Sequence, residues 1–206
     1  METRKRILDT ASQADIAGDV ADLLKAGGIC IIPTDTIYGI VALDRFSVSV
    51  RRIFDIKKRP SSKPFIKLIG SLDSLTQYTD QVLPSSLHPY WPGPLTLILR
   101  GRSVKTVAVR FPDAPFLKDV FSHLGGEALV APSANISGDS NIFNCEQLVD
   151  VFQGLVDLIV CLKGGLRESE ASTILDITQE PWKVLRQGSL VVETPDHSAG
   201  KSRGEM

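Results

Sequence analysis

Between Arg51 and Lys67 the chain gathers Arg51, Arg52, Lys57, Lys58, Arg59, Lys63 and Lys67 against a single acid, Asp55. Elsewhere charge is balanced, with 23 Lys and Arg, 24 Asp and Glu, and a formal net charge of −1. The plain alternative is a solvated helix face running into a lysine-rich loop. Against it stands the pattern Lys57-x-Arg59-Pro60-x-x-Lys63-Pro64, in which two prolines stiffen a cationic loop. Fixed cations suit phosphate oxygens: an arginine can grip two at once, and a lysine meets them as a point charge.

Two further polar clusters follow apolar runs. Pro132-Ser133-Ala134-Asn135-Ile136-Ser137-Gly138 is built of small residues that let backbone N–H groups approach a ligand, although Asx and Ser turns have the same composition. Thr34-Asp35-Thr36-x-Tyr38-Gly39 is the other. Arg110 and Arg186 add single cations where apolar runs finish, and each alone could be a snorkelling strand-end arginine. Convergence of these groups would make a local basic site for a small phosphorylated ligand, a nucleotide being the leading expectation.

The elements that must position them alternate. Apolar periodicity predicts a helix over 14–25, stopped by Gly27-Gly28, and a doubly buried strand over 28–33 that delivers Thr34 to Thr36 to its end. A helix capped by Ser47 closes before Pro60. Strands are expected at 64–69, 95–99, 105–110, 128–131, 157–162, 172–177 and 183–186. Helices are expected at 71–78, 84–90, 115–124 and 146–153, the last capped by Asn144. The reading is α/β: a twisted, open, mixed but mostly parallel sheet flanked by helices, with one antiparallel hairpin from 95–99 into 105–110. One domain over 1–193 and a disordered tail over 194–206 complete it.

Other chemistries find little support. Cys30, Cys145 and Cys161 are far apart and odd in number, and read as reduced core thiols. The three histidines stand at no ligand spacing, so no protein metal site is expected. There is no G-x-S-x-G and no G-x-G-x-x-G. Gly200-Lys201-Ser202 imitates the end of a P-loop, but Pro195 stands where its first glycine belongs. The basic N-terminus has no apolar h-region after it and no stretch approaches membrane-spanning length; the expectation is a cytoplasmic protein with no membrane partner.

Taken in order, PTDTIYG (33–39), KKRPSSKP (57–64), WPGPLTLIL (91–99), VRFPDAP (109–115), PSANISG (132–138) and STILDI followed by VLRQG (172–188) resemble the YrdC-type threonylcarbamoyl-adenylate synthase family in its short, single-domain bacterial form. The resemblance implies a deep basic cavity and an ATP-consuming nucleotidyltransferase. L-threonine, bicarbonate and ATP would give threonylcarbamoyl-AMP and pyrophosphate, with Mg2+ accompanying the ATP. The product would pass to a tRNA threonylcarbamoyl transferase complex for tRNA modification. It further implies that Lys57, Arg59, Ser133 and Asn135 are catalytic positions around the phosphates. Thr36, Arg110, Ala131 (through its backbone) and Ser172 would hold threonine; Arg59, Lys63, Thr106, Ser133, Asn141 and Arg186 would hold ATP. Lys63, Leu68 and Asn141 depart from residues common elsewhere in the family, which bears on substrate contacts.

Two other readings stay open: an RNA-binding module using the same concavity, and an inactive paralogue of the YciO kind. The net charge of −1 and the lack of basic–aromatic interleaving count against tight RNA binding, leaving weak RNA contact as an expectation. Lys57 and Arg59 are both expected on a solvent-facing loop, so that removing either would cripple turnover and leave the fold intact.

Overall fold

A computed structural model describes residues 2–60 and 62–193. The expected tail and the Gly200-Lys201-Ser202 triplet lie outside the described residues. Ten strands form one sheet in the order β1-β8-β2-β3-β7-β4-β6-β5-β9-β10. They are β1 (Arg4–Leu8), β2 (Cys30–Ile32), β3 (Gly39–Leu43), β4 (Lys67–Leu68), β5 (Leu95–Arg100), β6 (Thr106–Arg110), β7 (Leu129–Val130), β8 (Leu158–Leu162), β9 (Thr173–Asp176) and β10 (Lys183–Arg186). Four helices cover it: α1 (Gln13–Lys25), α2 (Ser47–Lys57), α3 (Pro115–His123) and α4 (Cys145–Phe152).

Strand alternation explains the layers. In β2, β3 and β8 the residues Cys30, Ile32, Val41, Leu43, Leu158 and Val160 face α1 and α3. Their neighbours Ile31, Ile40, Ala42, Ile159 and Cys161 face the α2 and α4 side. Both faces are buried, so these strands read as continuous apolar runs, as a sheet between two helical layers requires. A third cluster built on Leu95, Leu97, Val109 and Leu175 closes the other half of the sheet. α4 starts at the expected cap: the Asn144 side chain accepts a hydrogen bond from the Gln147 backbone N–H at 2.9 Å.

The sheet is mixed and helix-flanked, as read from the sequence, but it is not mostly parallel. Parallel pairing joins β1–β8, β2–β8, β4–β6 and β5–β9, while β2–β3, β3–β7, β4–β7, β5–β6 and β9–β10 are antiparallel. The cause is short connections. Residues 33–38 turn the chain straight back from β2 into β3, and 177–182 do the same between β9 and β10; only a crossover of a dozen or more residues would keep neighbours parallel. Two strands were not foreseen. β1 is an edge strand, exposed except for Leu8, whose Arg and Lys residues hide its character. β3 is a short fully buried run. The expected helices at 71–78 and 84–90 are single short 3-10 segments, Asp73–Gln77 and Ser85–Tyr90.

The cysteine reading is corrected as well. Cys145, at the start of α4, is disulfide-bonded to Cys161 in β8, with Cα atoms 5.4 Å apart. α4 packs against β8, which brings the two sulfurs together across the layer. Cys30 remains a free, fully buried thiol whose pKa burial pushes far up.

Candidate active site

β4 and β7, two residues each, lie in the middle of the strand order. Beside these short ladders a cavity of about 400 Å³ opens, lined by Phe65, Ile66, Leu68, Ala131 and Pro132 from around the two strands. Thr36, Arg59, Arg110, Ser133, Asn135, Asn141, Ser172 and Arg186 line it too. Three arginines thus meet one carboxylate in the lining, that of Glu170. A smaller adjoining cavity is lined by Lys57, Arg59, Lys63, Ser133, Asn135 and Gly138, so the two share the Arg59, Ser133 and Asn135 wall.

The segment after β7 is fastened to the start of β3. The Ile40 N–H donates to the Pro132 carbonyl at 2.9 Å and the Ala134 N–H to the Tyr38 carbonyl at 2.8 Å. On its other side it is fastened by Lys57. The Lys57 ammonium donates to the Ser133 carbonyl (2.6 Å), the Asn135 carbonyl (2.6 Å) and Asn135 Oδ1 (3.0 Å). Ser133 Oγ also donates to Asn135 Oδ1 at 2.6 Å, and Asn135 Nδ2 donates to the Asp139 carbonyl at 2.5 Å. Lys57 is 1% exposed and closes α2, so the expected solvent-facing lysine is wrong. Its three N–H donors are all spent on this loop. Desolvation, aided by the nearby Arg59 charge, lowers its pKa to about 8.

Arg59 lies in the loop beyond α2, as expected, but is half-buried, not solvent-facing. Its Nε donates to the Lys63 carbonyl at 2.9 Å, and its guanidinium lies 5.4 Å from the centre of the Phe65 ring. Desolvation lowers its pKa. Lys63 itself is exposed and borders only the smaller cavity.

At the other end, the Thr34 hydroxyl donates to the Ile37 carbonyl at 2.7 Å and accepts from the Thr36 N–H at 3.1 Å, a turn that points Thr36 inward. Arg110, the last residue of β6, donates through Nη1 to Thr36 Oγ1 at 3.0 Å. Ser172 Oγ and Thr96 Oγ1 are 2.8 Å apart. Arg186 clasps Ser172, donating to its carbonyl from Nε (3.0 Å) and Nη2 (2.8 Å) and from Nη2 to its Oγ (3.1 Å). Desolvation first, then the Arg110 charge, lowers the Arg186 pKa, with Glu170 opposing. Ala131 lines the cavity just past β7.

Thr106 is not brought to the site. It begins β6 opposite Arg100, is exposed, and borders neither cavity. Four residues along a strand put it roughly 13 Å from Arg110. Tyr38, Phe65 and Glu170 line or brace the cavity without having been singled out; only Tyr38, within the Thr34 to Gly39 cluster, carried a sequence signal. Its hydroxyl accepts the Leu162 N–H at 3.0 Å, tying the cluster to β8. Among the described residues no helix is long and apolar enough to cross a membrane.

The chain is similar to several known proteins in sequence and fold. A Pyrococcus abyssi protein named threonylcarbamoyl-AMP synthase is 31% identical over 195 residues, covering 89% of this chain and 57% of the relative. A Bacillus subtilis protein of the same name is 28% identical over 210 residues, covering 94% and 60%. The chain therefore spans less than two thirds of the length of these relatives. The crystal structure of P. abyssi Sua5 complexed with L-threonine matches with a TM-score of 0.79 at 27% identity, covering 92% of this chain and 58% of that one. E. coli YciO matches in fold, with a TM-score of 0.80 at 22% identity and coverage of 93% and 98%. The Sua5/YciO/YrdC family model, described as telomere recombination, matches residues 22–188, a span that holds every residue lining the cavity: the chain belongs to this family.

Proposed function

We propose that this cavity joins L-threonine, bicarbonate and ATP into threonylcarbamoyl-AMP with release of pyrophosphate. The observation that carries the reading is the division of one cavity into two chemistries. Arg110 and Thr36 line the larger cavity and touch each other, while Arg59, Ser133 and Asn135 line it where the smaller cavity adjoins. The first suits an amino acid carboxylate, which a guanidinium grips through two parallel N–H donors. The second suits phosphate oxygens.

The chemistry sets what the residues must do. Threonine's amine adds to the carbon of bicarbonate with loss of water, giving a carbamate. A carbamate oxygen then bonds to the α-phosphorus as the bond to pyrophosphate breaks. Negative charge gathers on phosphate oxygens throughout, so placed donors matter more than a strong base. Arg59, Asn141 and Arg186 supply those donors, and Arg110 holds threonine so that its amine stays near the phosphate. Lys57 acts from behind, holding Ser133 and Asn135 in place.

Mg2+ fits the donor set as a companion of ATP. Among the described residues no group of three or more His, Cys, Asp or Glu could hold a metal by itself, and magnesium on a nucleotide keeps mostly phosphate and water ligands with one or two carboxylates. Glu170 would be the protein's oxygen ligand, and the ion would neutralise phosphate charge.

The product would be consumed by a tRNA threonylcarbamoyl transferase complex, and a cytoplasmic location accords with that role. The test is pyrophosphate release from ATP and bicarbonate with L-threonine, without it, and with serine. Release that requires L-threonine is the expected result. No release from protein that binds RNA instead would overturn the reading.

A further inference from the structure

Arg110 is gripped on three sides. Besides Thr36 Oγ1, its Nε donates to the Gly93 carbonyl at 3.2 Å and its Nη2 to Asp35 Oδ1 at 2.5 Å. The Arg110 and Asp35 side chains are 7% and 8% exposed. The second Asp35 oxygen accepts the Asp113 backbone N–H at 3.1 Å, so this carboxylate pins the segment after β2 to the segment after β6. The same segment is held from another side, where Ser169 Oγ donates to the Thr36 carbonyl at 2.5 Å. Arg110 and Thr36 line the cavity; Asp35 does not.

A guanidinium has five N–H donors, one on Nε and two on each Nη. The three bonds above take one from each nitrogen, leaving one on Nη1 and one on Nη2. One N–H on each terminal nitrogen is what an end-on fork needs to meet both oxygens of a carboxylate. We propose that Asp35 is a positioning residue for the amino acid substrate: it fixes the rotation of Arg110 so that the unspent fork faces the cavity. It also balances the Arg110 charge while no substrate is bound, which a cation this deeply buried requires. The inference rests on the reading of the cavity as a threonine site.

The test is calorimetric titration of the full chain with L-threonine and, separately, with ATP, for wild type, Asp35→Asn and Asp35→Glu. Asp35→Asn keeps the shape and loses the charge. It is expected to weaken L-threonine binding about tenfold or more, on the scale of one hydrogen bond to a charged group, with ATP binding within about twofold of wild type. Asp35→Glu, which restores the charge with a displaced oxygen, is expected to fall between the two. Should Asp35→Asn fail to fold, Asp35→Glu keeps the test, an L-threonine affinity equal to wild type then overturning the inference. Unchanged L-threonine affinity in Asp35→Asn, or equal losses for both ligands, overturns the inference alone. A wild type that binds ATP but not L-threonine overturns the threonine reading and the inference with it.

Discussion

Lys57 and Asn135, 78 residues apart in sequence, are joined twice: the lysine Nζ reaches both the backbone carbonyl of Asn135 at 2.6 Å and its side-chain Oδ1 at 3.0 Å. With the Ser133 carbonyl as third acceptor, the ammonium is a bolt through the loop that carries Ser133 and Asn135. Removing it takes the ammonium donor from the Asn135 carbonyl and one of two donors from each of the Ser133 carbonyl and Asn135 Oδ1. Lys57→Ala is therefore expected to lose about 2–4 kcal/mol of stability as well as ATP binding. Arg59→Ala, acting on a half-buried side chain, should lose ATP binding with about 1 kcal/mol or less of stability. Denaturant unfolding beside nucleotide titration separates the two.

Protonation of Lys57 makes stability and binding move in opposite directions with pH. Its folded pKa, about 8, lies below the usual lysine value of 10.5 because burial disfavours the charged form. Between those two values the unfolded chain binds more protons, so this group's contribution to stability rises with pH across that window. Above pH 8, however, the amine has one N–H fewer for three acceptors, and ATP binding should weaken. NMR titration of the lysine ε-methylenes, thermal unfolding from pH 7 to 10 and ATP titration over the same range check the sign of each.

Gly188 is required for space. A Cβ there would lie 2.0 Å from the Ala171 carbonyl oxygen and 2.6 Å from the Thr173 nitrogen. The Gly188 N–H also donates to Thr173 Oγ1 at 3.0 Å. Gly188→Ala must push the end of β10 off β9 and pull Arg186 away from Ser172. A loss of about 1–3 kcal/mol is expected, with weakened ATP binding. A variant as stable and as tight-binding as wild type would show that the Arg186 clasp does not depend on this approach.

The Cys145–Cys161 bond closes a 16-residue separation. Reduction with dithiothreitol should lower stability by about 2–3 kcal/mol. Unreduced, denatured protein should titrate for Cys30 alone. Three reactive thiols before reduction would show that the bond does not form.

The outline of the site was legible in part from strand ends: Thr36 and Arg110 follow apolar runs and reach the cavity, while Ser172, just before β9, came from the resemblance alone. What could not be read was depth. A run of lysines and arginines reads as solvated, and Lys57 is buried only because three oxygens from a remote loop converge on it. Thr106, assigned by resemblance alone, lies at the wrong end of β6. Asp35 stood in the Thr34 to Gly39 cluster, but its role was not legible, because it lies in a contact with Arg110, 75 residues away. The sheet's antiparallel half was hidden because no strand was expected at β3, whose five apolar residues follow the polar Thr34 to Tyr38 turn so closely.

The order in which the strands meet also shapes how the chain must come together. β1, Arg4–Leu8, pairs only with β8, Leu158–Leu162, and β2 is likewise flanked on one side by β8. On a ribosome the first strand emerges long before its neighbour is made. Closing so long a loop carries an entropic cost that local contacts do not share. The β8 slot beside β2 stays open until residue 162 has left the exit tunnel, so during synthesis β2 presents an unpaired row of backbone N–H and C=O groups between apolar side chains, a surface open to wrong pairing.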